Sequence, residues 1–187
     1  MKIRHKDIPP ENFVKMYSAV LAVAKLLNNI KKGNESTACP PPTNNNVFII
    51  HGHDEINMLK LKNILADNLK LNPVIMMAKP GMSRPLLTKF EDEASKCSFA
   101  FALFTPDDQV IQKNDNERTE YSQARQNVVN ETGWFIGRLG KERLVILLKN
   151  GTKIHTDYDG VSRIQFKDSI DEKFLAIQEE LKAVGLA

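Results

Sequence analysis

Between Ala124 and Gly140 the chain reads Ala-Arg-Gln-Asn-Val-Val-Asn-Glu-Thr-Gly-Trp-Phe-Ile-Gly-Arg-Leu-Gly. Asn127 and Glu131 are four residues apart, so in a helix they stack on one flank, while Val128, Phe135 and Leu139 form an adjoining apolar face. Gly133 and Gly137 would each weaken a helix by about 1 kcal/mol relative to alanine, and their pairing predicts close backbone packing. A carboxylate beside such a packed face is shielded from water. Shielding raises its pKa and suits it to act as an acid, a base or a stabiliser of positive charge. The other reading of the same spacing, and the commoner one for glutamate, is a solvated carboxylate on an amphipathic helix.

Three further stretches follow short apolar runs and carry polar groups able to touch a ligand: His51-Gly52-His53-Asp54, Lys79 to Arg84 with Gly81 among them, and Thr105-Pro106-Asp107-Asp108. His51 and His53 flank Gly52 and point to opposite sides of an extended segment, so ligand contact suits them better than a shared metal. Asp54, Asp107 and Lys149 are residue types used by phospho-accepting receivers, but Asp107 lies beyond Pro106, past the strand end where that acceptor belongs. Neither a GxxxxGK loop nor a GxGxxG turn is present. Cys39 and Cys97 have no CxxC or Cys/His spacing, so neither a zinc site nor a disulfide framework is indicated.

These loops need elements to hold them. Val47–Ile50, Val74–Met77, Phe99–Phe104 and Leu144–Leu148 are continuous apolar runs, the pattern of strands covered on both faces, and Arg163–Phe166 is a short fifth. Helices are predicted between them: after Asp54 with Leu61, Ile64, Leu65 and Leu69 on one face, after Pro85 with Leu86, Leu87 and Phe90, over the Asn127 to Gly140 stretch, and from Asp171 to Val184 with Gly185 as cap. Asn72-Pro73 is read as a helix stop and Gln112 to Glu120 as a polar loop. Alternating strands and helices at this spacing give a doubly wound α/β fold with a parallel sheet. Ligands of such sheets bind beyond the carboxyl ends of the strands, where strand order reverses. That rule selects the same three loops.

Upstream, Phe13, Tyr17, Val20, Ala24 and Leu27 form a helical stripe, and the stretch from Gly33 to Asn46, with Pro40-Pro41-Pro42, reads as a stiff linker. The division is an N-terminal helical segment over 1–32, a linker over 33–46 and one α/β domain over 47–187. The stripe is expected to be covered by self-association or by docking. Twenty-six cations against 23 anions, spread along the chain, give a net charge of +3 and no basic stripe, so no direct nucleic-acid partner is expected. No apolar run nears the roughly 18 residues of a membrane span. With no signal peptide at Met1, a cytoplasmic, non-membrane protein is expected.

Three ordered blocks resemble the bacterial TIR-like (Toll/interleukin-receptor-like) family, which includes the TIR effectors of cyclic-nucleotide antiphage systems: Val47 to Glu55, Phe104 to Asp108, and Ala124 to Val128 with Glu131, Gly133, Phe135, Ile136, Gly137 and Leu139-Gly140. The resemblance implies a flavodoxin-like fold, a five-stranded parallel sheet of order 2-1-3-4-5 with helices on both faces. In many relatives it implies cleavage of NAD+ at the nicotinamide–ribose bond. The family's Arg-Gln-Asn-x-x-x-Glu block carries its catalytic glutamate over to Glu131. Here Asn130 and Thr132 flank that glutamate where bulky apolar residues are usual, and Gly81-Met82-Ser83-Arg84-Pro85 replaces the common Asn-x-Gly-x-Thr at the substrate entrance.

The implied chemistry needs little apparatus. Nicotinamide departs as a neutral ring, so one carboxylate opposing the oxocarbenium charge on the ribose suffices, with no metal and no cofactor beyond NAD+ as substrate. Asn127 would hold Glu131 or a ribose hydroxyl. His51, Gly52, His53, Thr105 and Asp107 would seat the adenosine diphosphate part, with Gly81 in the loop and Arg84 on the pyrophosphate. Partners implied are NAD+, other TIR domains, and an upstream sensor domain or signalling nucleotide. The alternative is a non-catalytic nucleotide-binding or TIR–TIR interaction module.

Overall fold

The computed structural model describes residues 43–76, 86–114 and 117–186. The expected N-terminal helical segment 1–32, most of the linker, and the loop holding Gly81 and Arg84 lie outside the described residues.

Five parallel strands form the main sheet: β1 (Asn46–Ile50), β2 (Asn72–Ile75), β3 (Phe99–Phe104), β6 (Leu144–Lys149) and β8 (Ser162–Phe166), in the order β2-β1-β3-β6-β8. This is the expected 2-1-3-4-5 arrangement, renumbered because three strands of a second sheet intervene. Alternation within the central strands sends side chains to two cores. Val47, Ile49, Phe99, Phe101, Leu103, Val145 and Leu147 face α1 (Glu55–Asn63) and α4 (Phe174–Ala183), meeting Leu61, Ile177 and Leu181. Phe48, Ile50, Ala100, Ala102, Phe104, Ile146 and Leu148 face α2 (Leu86–Ala94) and α3 (Gln126–Leu139), meeting Phe90, Val128, Phe135 and Leu139. β1 and β3 are thus apolar at consecutive positions because both of their faces are covered.

Ala100 and Ala102 leave room above the second face, and aromatic rings fill it. Phe135 lies 5.0 Å from Phe48 and 5.1 Å from Trp134, and Phe90 stands edge-on to Phe48 and Trp134 at 5.7 and 5.2 Å. Gly140 ends α3 at φ +84, a conformation that strains any side-chain-bearing residue, and its N–H donates to the Ile136 carbonyl.

Several boundaries differ from those expected. β1 begins at Asn46, and Asn44 is already tied in: its amide donates to the Lys96 carbonyl and its own carbonyl accepts from Ser98 Oγ. The helix after β1 ends in a π-turn over Ile64–Asn68 with Lys70 in the left-handed region, so Pro73 does not stop it. Pro73 instead lies inside β2, which tolerates a missing N–H because it is an edge strand. The terminal helix is split, a 3₁₀ turn over Ile170–Lys173 preceding α4, with Ser169 and Glu172 closing a capping box. The polar stretch read as a loop is a hairpin, β4 (Asp108–Asn114) and β5 (Glu117–Gln123), which joins β7 (Thr152–Lys153) in a small second sheet. Its sequence lacks apolar alternation because it has no core face; Lys153 covers the ring of Tyr121, 3.7 Å from its centroid. No helix of the described residues is long and apolar enough to cross a membrane.

Because Phe135 joins three rings over the small alanines, Phe135→Ala should lower the unfolding free energy by about 3–5 kcal/mol, and Phe135→Leu by about 1.5 kcal/mol or less. Urea titration followed by fluorescence of Trp134, the chain's sole tryptophan, measures both. A loss under about 1 kcal/mol for the alanine variant would show that the ring cluster does not organise this face.

Candidate functional site

The connection β1 to β2 runs to one side of β1, and the next connection crosses back to place β3 on the other side. Strand order therefore reverses between β1 and β3, whose carboxyl ends lie together. β1 hands over to His51-Gly52-His53-Asp54. Asp54 caps α1, its carboxylate accepting from the Asn57 N–H (3.1 Å) and side-chain amide (2.8 Å) and pairing with Lys149 Nζ at 2.7 Å. Burial would raise its pKa, but the bonds from Lys149 and Asn57 together outweigh burial and hold the carboxyl below its ordinary range. Asp54 is an anchor between the ends of β1 and β6.

At the end of β3, buried Thr105 donates its hydroxyl to Asp107 Oδ1 at 2.8 Å, and the His53 backbone N–H donates to Asp107 Oδ2 at 3.2 Å. Gly52 permits this: a Cβ there would stand 1.8 Å from Asp107 Oδ2. His51 Nδ1 lies 3.0 Å from the Gly52 carbonyl. Arg125, the residue before α3, hydrogen-bonds through its guanidinium to His53 Nε2, which makes that nitrogen the acceptor. Five of the expected ligand residues, His51, Gly52, His53, Thr105 and Asp107, thus gather at the switch point. Arg125 joins them and was not singled out from sequence. Its sequence signal is its place as the first residue of the Arg-Gln-Asn-x-x-x-Glu block, which assigned it no ligand role.

Asn127 and Glu131 share one flank of α3, as their spacing predicts; Asn127 is exposed and Glu131 half-buried. Glu131 lies six residues beyond Arg125, roughly 9 Å along the helix axis. It is three residues from Val128 and Trp134 and four from Phe135, on the side where Trp134 packs against Phe90 of α2. Burial pushes its pKa up to about 7, with no hydrogen bond or cation among the described residues to counter it. Among those residues, neither Asn127 nor Glu131 hydrogen-bonds to the β1 or β3 loop. The shielding does not come from glycine packing: Gly133 and Gly137 lie on the exposed face of α3, and a Cβ on either would meet nothing within 4 Å. Their spacing suggested contact because backbone approach and mere tolerance of glycine look the same in sequence.

Burial raises the Cys97 thiol to about 12, so it is no nucleophile at neutral pH. A groove of about 460 Å³ between β8 and α4, lined by Arg163, Gln165, Lys173 and Glu180, lies at the far edge of the sheet and shares no residue with the switch point.

A five-stranded parallel sheet of this order, with helices covering both faces, defines a flavodoxin-like α/β domain. Residues 46–168 match the family described as CAP12/Pycsar effector protein, TIR domain, and the chain belongs to that family. It is 36% identical over 121 residues to the protein YuaY of Escherichia coli K12, covering 64% of this chain and 39% of that one. It is 32% identical over 103 residues to protein tirC of Dictyostelium discoideum, covering 54% and 51%, and 33% identical over 87 residues to the Pycsar effector protein PaPycTIR of Pseudomonas aeruginosa, covering 46% and 27%. The chain thus spans about half or less of the length of these curated relatives.

Since a methyl group at Gly52 would collide with the Asp107 carboxylate, Gly52→Ala should break the bonds from Thr105 and His53 and cost about 1–3 kcal/mol. Asp107→Ala removes the obstacle, so the double variant should be less destabilised than the sum of the singles. Denaturation of all four proteins tests this, and strict additivity would show that the two residues do not meet.

Proposed function

We propose that this domain hydrolyses NAD+ at the nicotinamide–ribose bond, giving nicotinamide and ADP-ribose or its cyclic form, as a self-associating effector of antiphage defence. The observation that carries this reading is Glu131, a half-buried carboxylate on the helix that follows Arg125, raised to about 7 with no partner among the described residues. The setting in defence rests on the family and on relatives named Pycsar effector protein and CD-NTase-associated protein 12. Those names support an upstream nucleotide signal, read by a sensor region outside this domain.

In this mechanism the C1′–N bond of NAD+ breaks, its electron pair leaves with the nicotinamide ring, and the ring becomes neutral. The ribose takes up oxocarbenium character. Ionised Glu131 opposes that charge in a site partly screened from water, where the attraction is stronger than in bulk solvent. Water then adds at C1′ and releases its proton, or a nucleophile within the product closes the cyclic form. Asn127, one turn away, holds a ribose hydroxyl. His53, Thr105, Asp107 and Arg125 bind the adenosine diphosphate end, where the Arg125 guanidinium can exchange its histidine partner for a pyrophosphate oxygen.

Glu131→Gln keeps the size of the side chain and removes its charge; it should lower NAD+ cleavage at least tenfold, about 1.4 kcal/mol of barrier. A variant retaining more than about a tenth of the rate sinks the assignment. The charged form is the active one, so kcat/KM for NAD+ should rise with pH through about 7, while kcat rises at lower pH because the cationic nicotinamide favours ionised Glu131.

The same group predicts a stability profile. Its folded pKa lies above its unfolded value, so the folded state prefers the protonated form. The stabilisation is complete below the unfolded value of 4.5 and is lost as pH rises through about 7. Melting temperatures of wild type and Glu131→Gln between pH 4.5 and 8 should converge at the acid end and separate above pH 7, with the glutamine variant the more stable. Parallel curves would place Glu131 in open solvent.

A further inference from the structure

We propose that Lys149 is a positioning residue: by holding the Asp54 carboxylate from across the sheet, it fixes His53 between Asp107 and Arg125 and so shapes the seat for the adenosine diphosphate end of NAD+. Lys149 is the last residue of β6, and Asp54 follows β1 by four residues. Both strands are neighbours of β3, one on each side. Their ends therefore stand about 9–10 Å apart, two strand spacings. The long stem of Lys149 closes that distance, and its Nζ donates to Asp54 Oδ2 at 2.7 Å. The bridge joins β1 to β6 without passing through β3.

Asp54 is held from a second direction as well. The Asn57 amide, on a residue 3% exposed, donates to the same Asp54 oxygen at 2.8 Å, and its own oxygen accepts from the Ile170 N–H at 2.9 Å. Ile170 opens the 3₁₀ turn after β8, so the carboxyl ends of β1, β6 and β8 meet in one network. Within it the side chains of Lys149 and Asp54 are only 28% and 13% exposed. An ion pair so far withdrawn from water adds little to stability, because desolvation offsets most of the attraction and a well-packed apolar pair would hold as firmly. What this pair supplies is a fixed geometry.

That geometry acts one peptide away. The His53 N–H donates to Asp107 Oδ2 at 3.2 Å, its carbonyl accepts from the Glu55 N–H at 2.8 Å, and its ring Nε2 accepts from Arg125. His53 is exposed, so its place depends on these bonds and on the residue that follows it. Without Lys149, the Asp54 carboxylate keeps only its partners on α1, and the loop and the first turn of that helix lose their tie to β6. The consequence for NAD+ rests on the proposed function; the placement of His53 does not.

Relaxation of ¹⁵N amides in the full chain tests the placement directly. The His53 N–H of the wild type should show an order parameter near the rigid value of about 0.85, falling below about 0.6 in Lys149→Met, which keeps the stem without the charge. Asp54→Asn, which still caps α1, should do the same, and Lys149→Arg should restore the wild-type value. Phe48 and Phe101 should stay rigid in all three. In NAD+ cleavage, KM should rise at least about fivefold in Lys149→Met and in Asp54→Asn, with kcat within about twofold of wild type. Asp54→Asn separates positioning from contact: a lysine that itself binds the pyrophosphate would be freed by it, and KM would fall. That fall, an unchanged KM in active Lys149→Met, an unaltered His53 order parameter, or an equal loss of order at Phe48 and Phe101 each overturns the proposal. A chain that cleaves no NAD+ defeats the proposed function and leaves the relaxation data to decide this one.

Discussion

Covering β1 and β3 on both faces constrains everything else in this domain. With every residue from Val47 to Ile50 and from Phe99 to Phe104 buried, these strands have no polar face from which to present a functional group. Side chains that meet a ligand must come from the loops where the strands stop, or from the flank of a covering helix. Parallel pairing puts all the strand ends on one side, and the reversal of order between β1 and β3 opens a gap there. Gly52, His53, Thr105 and Asp107 fill the rim of that gap with a network of short-range bonds. The network is possible only because the residue between the histidines has no side chain.

The helix over the second face supplies what the strands cannot. α3 buries Val128, Thr132, Phe135 and Leu139 against the sheet, which fixes its rotation and hence the direction of its remaining flanks. The flank bearing Asn127, Glu131 and Trp134 turns toward α2, and Trp134 is held there by Phe90. Glu131 is half-buried on this helix, and burial raises its pKa. A shift from 4.5 to about 7 corresponds to about 3 kcal/mol of folding free energy withheld once the group ionises. A solvated glutamate on the opposite flank of the same helix would carry no such cost, and a paired one would recover it. A shielded carboxylate with no partner among the described residues has the electrostatics that would favour a cation placed beside it.

Legibility in the sequence followed the range of the forces involved. Central strands were readable because burial on both faces leaves an unbroken apolar run, and the flank shared by Asn127 and Glu131 was readable because helical geometry is local. The strand order came from the resemblance, since periodicity says nothing about which strands are neighbours. The β4–β5 hairpin was not legible: it has no core face and so no alternation, and its pairing is with itself and with Thr152-Lys153, some thirty residues away. Pro73 reads as a terminator until β2 is known to be an edge. Gly133 and Gly137 misled because a glycine pair is consistent with either packing or open solvent, and only the neighbours decide. Arg125, visible only as part of the Arg-Gln-Asn-x-x-x-Glu block, carried no ligand role in the sequence for a related reason. Its significance depends on His53, 72 positions earlier, arriving beside it through the sheet.

The hairpin brings these two levels together. An insertion between the end of β3 and the start of α3 leaves the core untouched, since the strands and helices on either side are fixed by their own burial, so it was free to take a sequence with no core pattern. It cannot leave the ligand end untouched. The loop that begins with Thr105 and Asp107 and the turn that delivers Arg125 are its two roots, and Asp107 and Arg125 both meet the Gly52-His53 segment. Any restraint on the hairpin is transmitted over one or two residues to groups held by a few hydrogen bonds, while β3 and α3 remain anchored in the core. Weakly held groups at the roots of a surface ribbon respond to that ribbon, whereas groups anchored by a packed core do not. In this arrangement the aromatic and aliphatic layers provide rigidity, and the groups at the rim, held by a few hydrogen bonds, are the ones most easily displaced.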